Sequence, residues 1–441
     1  MTGPIDSVAI VGGGFSGAML AARLAERGTP SILINRTPDF GLGVAYSTPF
    51  DGHLLNVRSA RMSALADDPG HFVSWLQDHH PSLADPDGFA PRRLFGLYVQ
   101  SRLAEVEARH PGRIQRRIAE VAAIVPEGVR LDDGAVIAAD AVVLTTGNPA
   151  PRTAGPAGSS SAVIPDPWAP GALGRIAADD DILLIGTGLT MVDVLLSLNA
   201  GGWRGRATAL SRRGLLPRGH RLKPDSPTSP TEALLSGRLS TRLSEARRLS
   251  DLGGWREVME GLRPITARLW GEADLATRSR VVRHLRPWWD VHRHRVAPAV
   301  AAVVEGLCSE GRLAVVAGRV RTVTSDEGAV RLDWTPRHGP ARPALGARWL
   351  IDCSGPGHAP DADPLTAPLI ASGRARLDPL GLGLELDPGG RVLNAAGDPD
   401  PRLFVLGPPA RAAFWETIAV PDIRKRIEDV ATALTATNGR P

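Results

Sequence analysis

The 441-residue sequence predicts an α/β protein made of two units, each built on a parallel sheet, with a helical addition. Three observations predict this. A strand, a glycine-rich turn and a helix open the chain, the same succession returns near residue 181, and residues 221–304 carry only helical patterns. Because alternation of strands and helices is typical of parallel sheets, the repeat predicts two such units.

The first turn follows the β-branched apolar run at residues 8–11 and precedes a helical pattern that ends near Gly28. Its spacing is G-x-G-x-x-G. The glycines allow a tight turn, the approach of a pyrophosphate and close helix packing, while the helix N-terminus offers free N–H groups. With a second strand at residues 31–34, the stretch predicts a dinucleotide site. Its candidate residues are Gly12, Gly14, Phe15, Ser16 and Gly17.

The position after the second strand departs from the usual pattern. An acidic residue normally binds the ribose hydroxyls there, whereas this sequence has Asn35 followed by Arg36. An amide accepts a weaker hydrogen bond than a carboxylate. We therefore expect weaker cofactor binding through Asn35 and Arg36 with no change of fold.

The second turn runs from Gly186 to Met191, and Met191 replaces the third glycine, so we expect helix and strand to lie slightly farther apart there. After the next strand, hydroxyl and guanidinium groups stand where an acidic residue would read NAD. They suit a 2′-phosphate and predict NADPH, with a solvated basic loop as the alternative. The candidates are Gly186, Gly188, Leu189, Thr190, Ser211, Arg212 and Arg213.

Composition argues against several kinds of partner. Lys and Arg total 51 against 47 Asp and Glu, a net charge of +4. Because no lysine-rich tail or aromatic–basic module accompanies this charge, we expect no nucleic-acid partner. No apolar run reaches the roughly 18 residues of a membrane-spanning helix. The chain also enters a strand almost at once, so we expect neither a membrane segment nor a signal peptide.

Cys308 and Cys353 are the only cysteines, and they lie far apart in the sequence. This excludes a C-x-x-C redox centre and a multi-cysteine metal site, and it suits a reducing cytoplasm. Cys353 lies in an apolar run and is expected to be buried rather than nucleophilic. The histidines at residues 79–80 and 292–294 are interpreted as surface or packing residues, so no metal site is predicted.

The two glycine-rich turns resemble those of flavoproteins with two dinucleotide-binding domains, which include the flavin-containing, Baeyer–Villiger and N-hydroxylating amino-acid monooxygenases. The chain is more closely similar to a bacterial family of FAD-NAD(P)-binding proteins. The similar segments are residues 40–47, 53–62, 186–194, 285–298 and 415–424. The resemblance implies two Rossmann-like domains of three-layer ββα type, with FAD on one and NADPH on the other.

The resemblance also implies a domain arrangement and a reaction. Residues 1–155 and 336–441 would form the FAD-binding domain, and residues 165–335 the inserted NAD(P)H-binding domain with its helical insertion at 221–304. A Gly/Ser/Pro linker at 155–161 joins them. NADPH would reduce the flavin, and molecular oxygen would form a C4a-hydroperoxide that oxygenates a small molecule, for example by N-hydroxylation of an amine or amino acid.

Further site residues follow from the same resemblance. The segment carrying the catalytic candidates would lie by the reactive face of the flavin. The cofactor candidates occupy the irregular segment before it, the end of the strand at 141–145, the end of the last strand and the following helix. The catalytic candidates are Asn56, Arg58 and Arg61, and the cofactor candidates are Tyr46, Met62, Thr146, Gly147, Gly407, Glu416 and Thr417. Ordinary helix capping is the alternative for Glu416 and Thr417.

Two other functions remain open from the sequence. One is an NADPH-dependent flavin reductase or dehydrogenase without oxygen insertion. The other is a flavin-based redox sensor that reports to a partner, although the sequence contains no appended recognition module.

Overall fold

The computed structural model describes residues 5–148, 160–326, 328–355 and 360–435. Most of the predicted linker, residues 155–159, lies outside these ranges, as do Pro149, Pro356 and Gly357 beside the predicted strand exits. The strands are β1 (Val8–Val11), β2 (Ser31–Asn35), β3 (Ile114–Ile118), β4 (Val121–Val125), β5 (Gly128–Leu131), β6 (Val136–Ala138), β7 (Ala141–Leu144), β8 (Val163–Ile164), β9 (Ile182–Ile185), β10 (Ala207–Ser211), β11 (Leu313–Asp326), β12 (Ala329–Pro336), β13 (Leu345–Ala347), β14 (Trp349–Asp352), β15 (Arg391–Leu393) and β16 (Pro399–Val405).

The helices cluster in three parts of the chain: residues 15–109, 189–309 and 366–435. They are α1 (Phe15–Glu26), α2 (Gly43–Tyr46), α3 (His71–His79), α4 (Arg92–Arg109), α5 (Leu189–Ala200), α6 (Glu232–Leu235), α7 (Leu239–Gly253), α8 (Trp255–Leu262), α9 (Thr266–Glu272), α10 (Leu275–Arg280), α11 (Arg286–Arg293), α12 (Pro298–Ser309), α13 (Thr366–Ala371), α14 (Arg411–Phe414) and α15 (Val420–Thr435). A π-helical turn at Val281–Leu285 precedes α11.

The first sheet has the strand order β15-β16-β7-β1-β2-β3 and is parallel except at β15. Every residue of β1 and β7 is buried, as expected for central strands covered on both faces. N-terminal and C-terminal strands thus share one sheet, because β16 pairs with β7.

Different layers cover the two faces of the first sheet. Ile10, Leu33 and Val143 point into a core that includes residues of α1, α4 and α15. Val11 and Leu144 point into a second core with residues of β4 and β5, which form a three-stranded antiparallel sheet with β6. This arrangement is the predicted three-layer ββα architecture.

The second sheet has the order β13-β12-β11-β10-β9-β14-β8. Five of its strands are parallel, namely β8, β14, β9, β10 and β11. The strands β12 and β13 extend the sheet as antiparallel strands. The predicted boundary at residue 336 is therefore too early, since β13 and β14 belong to this sheet. The strand at residues 349–352 was instead expected in the FAD-binding domain, because the pairing of parallel strands distant in sequence leaves no local pattern.

The predicted helical region is confirmed for α6 to α11, but α12 packs on the second sheet through Val300, Val304 and Leu307. The region also contacts the C-terminal part of the chain. The Trp270 indole donates a hydrogen bond to the carbonyl oxygen of Ala412 at 2.9 Å. These helices therefore connect the two units.

A buried salt bridge joins the two units directly. The Arg92 guanidinium at the start of α4 binds both carboxylate oxygens of Asp193 on α5, at 2.7 and 3.1 Å. Beside it, the ring of His53 lies 2.7 Å from Thr48 Oγ1 and 3.0 Å from Ser197 Oγ. Burial lowers the pKa of His53, which favours the neutral ring as part of this contact.

Candidate cofactor-binding sites

The glycines of the first turn have different surroundings. Gly12 has φ +110°, and a Cβ atom on it would lie 2.4 Å from the carbonyl oxygen of Thr145. A Cβ on Gly17 would lie 2.0 Å from the carbonyl oxygen of Gly12. Gly14 is open, because among the described residues its Cβ would meet only the backbone of Gly43, at 3.5 Å or more. Gly12 and Gly17 are therefore required for the close packing of the turn, whereas Gly14 leaves space in front of it.

The strand β7 ends beside this turn. The hydroxyl of buried Thr145 lies 3.0 Å from the Val11 carbonyl oxygen and 2.7 Å from that of Gly12. Thr146 is exposed, and a Cβ on Gly147 would meet no described atom within 4 Å. The structure thus brings Thr146 and Gly147 to the same open edge as the first turn.

The C-terminal strand β16 reaches the same edge. Gly407 has φ +81°, and a Cβ on it would lie 2.5 Å from Ser16 Oγ at the start of α1. The hydroxyl of Thr417 donates to the Gly407 carbonyl oxygen at 3.3 Å. Ser16, Gly407 and Thr417, which are far apart in sequence, are therefore neighbours.

The expected helix across residues 415–418 is wrong. These residues form a turn between α14 and α15, and Trp415 has φ +26°. The ring of Trp415 stacks on Trp270 with centroids 4.4 Å apart. This tertiary contact accompanies a positive φ that is unusual for a bulky residue and incompatible with a continuous helix.

Glu416 is buried in this turn, with 2% of its surface exposed. Its carboxylate accepts a hydrogen bond from the Trp289 indole at 3.0 Å and forms a salt bridge with Arg293 at 2.8 Å. The side chain of Glu416 therefore does not cap the first turn of a helix. Its carboxylate connects the turn to α11.

Asn35 binds the first turn itself. Its side-chain oxygen accepts a hydrogen bond from the Gly13 N–H at 3.1 Å, and its amide donates to the Thr37 carbonyl oxygen at 2.9 Å. Arg36 is exposed. Asn35 thus holds the shape of the glycine turn, a role that the sequence did not indicate.

Arg58 and Arg61 contact the helical region, and Asn56 contacts the residue just before it. The carbonyl oxygen of Asn56 accepts from His220 Nε2 at 3.1 Å. The Arg58 guanidinium donates to the carbonyl oxygens of Arg221 and Leu222 at 2.8 and 3.1 Å, and Arg61 forms a 2.8 Å salt bridge with Glu260. These contacts are structural, and a role of Asn56, Arg58 and Arg61 in chemistry stays a prediction.

Tyr46 is half-buried and Met62 is buried. The Tyr46 ring packs against Phe95 at 4.7 Å, and burial raises the pKa of its hydroxyl. Met62 is 3% exposed and belongs to the first core. Met62 therefore contributes packing beneath the site, and its contact with a cofactor stays a prediction.

The second turn repeats the geometry of the first. Gly186 has φ +106°, and a Cβ on it would lie 2.2 Å from the carbonyl oxygen of Cys353, which follows β14 as Thr145 follows β7. A Cβ on Gly188 would meet no described atom within 4 Å. Leu189 and Thr190 begin α5, and Met191 is fully buried in the second core. Burial also raises the pKa of the Cys353 thiol, as its predicted packing role requires.

The basic loop after β10 packs on this turn. The hydroxyl of Thr187 lies 2.9 Å from that of Ser211, which accepts a hydrogen bond from the Gly214 N–H at 3.0 Å. Arg212 is exposed, and a third arginine joins the loop, since the Arg337 guanidinium lies 3.5 Å from the Arg212 carbonyl oxygen. Thr187 and Arg337 were missed: a threonine inside a glycine turn has no distinctive spacing, and Arg337 comes from the distant end of β12.

Residues 9–149 match the family model described as FAD-NAD(P)-binding. These residues form an FAD-NAD(P)-binding domain. Its glycine turn, with Gly14 open in front of α1, fits the pyrophosphate of such a dinucleotide. The match confirms the predicted cofactors at the level of FAD and NAD(P). A sequence search of curated proteins finds no match.

Solved structures show how far the fold around the FAD-NAD(P)-binding domain extends. Ornithine hydroxylase from Pseudomonas aeruginosa superposes with a TM-score of 0.67 at 15% identity, covering 99% of this chain and 100% of that one. The ornithine N-hydroxylase of Kutzneria sp. 744, whose structure contains reduced FAD, NADP⁺ and L-ornithine, gives 0.60 at 15% identity, with 99% and 100% covered. Thioredoxin reductase from T. acidophilum gives 0.55 at 12% identity, with 99% of each chain covered.

At these identities the similarity shows the fold, which is the predicted one with two dinucleotide-binding units. The prediction of an FAD- and NAD(P)-dependent oxidoreductase agrees with both comparisons. Within the described ranges, no group of His, Cys, Asp and Glu could hold a metal ion. Nor does any helix in those ranges have the length and apolar character needed to cross a membrane.

Proposed function

We propose that the chain is an FAD-dependent oxidoreductase that takes its electrons from NADPH and uses molecular oxygen to oxygenate a small molecule. The observation that supports this most is the duplicated turn. Gly12 and Gly186 each approach the end of a neighbouring strand, and Gly14 and Gly188 are each open. The strand after the first turn ends at Asn35 with one arginine behind it, whereas the strand after the second turn ends at Ser211 with two arginines behind it. One chain therefore has places for two dinucleotides, and the second suits a 2′-phosphate better.

In this proposal, FAD lies on the first turn, with its pyrophosphate at Gly14 and the N-terminus of α1. Asn35 holds the turn through Gly13, and Ser16, Gly407 and Thr417 line the neighbouring edge. NADPH lies on the second turn, at Gly188 and the start of α5. The FAD domain comprises the first sheet, and the NADPH domain runs from β8 to the end of β14.

Bound FAD would supply hydride acceptance and the activation of oxygen. The protein would position the cofactors and exclude water. Trp270 and Trp415 are 5% and 3% exposed, and their stacked rings close the turn that carries Glu416. Removal of water strengthens electrostatic contacts at such a site. We retain Asn56, Arg58 and Arg61 as candidates for the reactive face.

An amine or amino acid is the proposed substrate class, because the two hydroxylases of similar fold are described as acting on ornithine. A binding and turnover screen identifies the particular amine.

The experiment measures how oxygen and electrons are used. The purified protein is mixed with NADPH, and NADPH oxidation, oxygen uptake and hydrogen peroxide release are followed with a panel of diamines and basic amino acids. We expect one compound to accelerate NADPH oxidation, suppress peroxide release and yield one hydroxylated product per NADPH. If NADPH is oxidised but all oxygen returns as peroxide with every compound, the oxygenase proposal is wrong.

That result would favour the second candidate, a flavin reductase or dehydrogenase. The fold of the T. acidophilum thioredoxin reductase supports this candidate. The two cysteines do not support a dithiol reductase, because Cys308 is exposed on α12 while Cys353 is buried below the second turn. A reductase of this sequence would need an acceptor other than its own dithiol.

A further inference from the structure

Trp288 on α11 is exposed to an extent that packing does not explain. It is 44% exposed, whereas the adjacent Trp289 donates its indole N–H to Glu416. Large aromatic rings usually contribute their area to a core or to a binding surface. The ring of Trp288 faces the basic loop, with the Arg213 guanidinium 5.9 Å from its centroid.

The position of Trp288 is fixed by the backbone around it. The Arg218 N–H donates to the Val291 carbonyl oxygen at 3.0 Å, and the Val296 N–H donates to the Arg218 carbonyl oxygen at 3.0 Å. The chain that continues from the basic loop therefore runs beside the end of α11. Thr187 connects that loop to the second turn through Ser211, at 2.9 Å. Trp288 is thus held near the second turn by two sets of hydrogen bonds.

The charged group that lies over the Trp288 ring is the Arg213 guanidinium. Arg212, Arg213 and Arg337 meet at the loop, and none of the three forms a salt bridge within the described parts of the chain. An exposed aromatic ring beside a loop whose guanidinium groups form no salt bridge in the described residues suits a ligand with a flat base and a phosphate. Bases stack on aromatic rings, and phosphates form charge-assisted hydrogen bonds with arginine.

We propose that Trp288 is the platform on which the adenine of the nicotinamide dinucleotide stacks, with Arg212, Arg213 and Arg337 at the 2′-phosphate. The proposal rests on the proposed function, which places NADPH at the second turn. It adds that the helical insertion supplies part of this site. The adenine is common to NADPH and NADH, so Trp288 contributes affinity for both, while the arginines discriminate between them.

The test uses the FAD-containing protein and two probes, adenosine 2′,5′-bisphosphate and 5′-AMP, with dissociation constants measured by calorimetry. Trp288→Ala should weaken both probes by the same factor, roughly 5- to 100-fold, as expected for loss of one stacked base. Trp288→Phe should retain most of the affinity. Arg213→Ala should weaken the bisphosphate and leave 5′-AMP nearly unchanged.

Leu252→Ala is the matched control, because Leu252 is 74% exposed in the same helical region. Flavin content and melting temperature of each variant check that it is folded. Unchanged affinity for both probes in folded Trp288→Ala would overturn the inference. A loss of affinity for the bisphosphate alone would also overturn it, because the ring would then serve only to support Arg213. Flavin reduction by NADPH in the unaltered protein tests the proposed function separately. If NADPH does not reduce the flavin of the unaltered protein, the proposed function is wrong. If NADPH reduces the flavin but Trp288→Ala binds both probes as tightly as the unaltered protein, only this inference is wrong.

Discussion

At the scale of residues, the glycines of the first turn separate folding from cofactor binding. Gly14→Val should yield colourless protein, because the branched side chain fills the open space, while the melting temperature of the apoprotein stays unchanged. Gly12→Val should instead fail to fold, because φ is +110° and Thr145 is 2.4 Å from the new Cβ. Flavin absorbance and thermal unfolding check both. A Gly14→Val variant with full flavin content would contradict the assignment of the turn.

Asn35 gives a second prediction at this scale. Asn35→Ala leaves the Gly13 N–H without its side-chain acceptor and should weaken FAD binding by roughly 5- to 10-fold, the effect of one hydrogen bond of about 1 kcal/mol. Asn35→Asp keeps an acceptor and serves as the comparison. Titration of apoprotein with FAD gives the constants. Equal weakening by both substitutions would show that the acceptor oxygen is not what matters.

In the proposed function, Arg212 discriminates between the two nicotinamide cofactors. We expect flavin reduction to favour NADPH over NADH by roughly ten- to a hundredfold, because NADH lacks the phosphate that a guanidinium binds with about 1.5–3 kcal/mol. Arg212→Ala should weaken NADPH and leave NADH almost unchanged, in rapid-mixing measurements of flavin reduction. Arg319→Ala, an exposed arginine on β11, is the control. Equal rates of flavin reduction by NADPH and NADH in the unaltered protein would contradict this role and would indicate that the loop of Arg212 is a solvated surface.

The sequence predicted some of these residues and their roles, but not the contacts of others. Gly12, Gly14 and Gly186 follow from spacing, because a tight turn before a helix needs glycine at fixed positions. The contact of Asn35 with Gly13 and the approach of Arg337 to Arg212 do not follow, because they depend on side-chain direction and on strand pairing between distant segments.

At the scale of elements, the contact between the segment of Asn56 and the chain just before the helical region depends on a neutral histidine. His220 Nε2 donates to the Asn56 carbonyl oxygen, and burial, with the charges of Arg295 and Arg58, lowers the pKa of His220 to about 3. The unfolded chain binds this proton near pH 6.5. Stability from His220 is therefore fully present above pH 6.5 and falls by roughly 1.4 kcal/mol per pH unit below it.

His220→Gln keeps a donor and removes the titration, so its free energy of unfolding should fall less steeply between pH 6.5 and 4.5. Urea unfolding at several pH values measures this. His284→Gln changes an exposed histidine of the same region and should retain the slope of the unaltered protein. Parallel curves for His220→Gln and the unaltered protein would contradict the assignment.

Elements with a strong local pattern, such as β1, α1 and β9, were predicted from sequence. The turn at residues 415–418 was not, because its apolar residues also fit a helix. Only the stacking of Trp415 on Trp270 and the burial of Glu416 beside Arg293 distinguish the two conformations.

At the scale of the whole molecule, the Arg92–Asp193 salt bridge fixes one unit against the other. Arg92→Ala leaves a carboxylate that is 6% exposed without its partner and should lower the free energy of unfolding by about 3–5 kcal/mol. It should also slow flavin reduction by NADPH, because the orientation of the two cofactor sites loosens. Denaturant unfolding and rapid mixing measure these effects.

The control is Arg204→Ala, whose salt bridge with Asp179 is 69% and 79% exposed and should contribute at most about 1 kcal/mol. Equal losses in the two variants would show that Arg92 has no special role. The pairing of Arg92 with Asp193 could not be predicted, since the sequence predicts each unit but carries no local signal for how the units dock.

The helix α11 has a thermodynamic consequence. Trp288 faces the loop of the second turn, while Trp289 and Arg293 hold Glu416 beside the first site. One rigid segment of two turns is thus shared by both sites. If a nucleotide that stacks on Trp288 alters the affinity of a molecule next to Glu416, that molecule must alter the affinity of the nucleotide by the same factor. Communication between the electron donor and the oxygenated substrate would then be a property of α11, with reciprocal effects on the two dissociation constants.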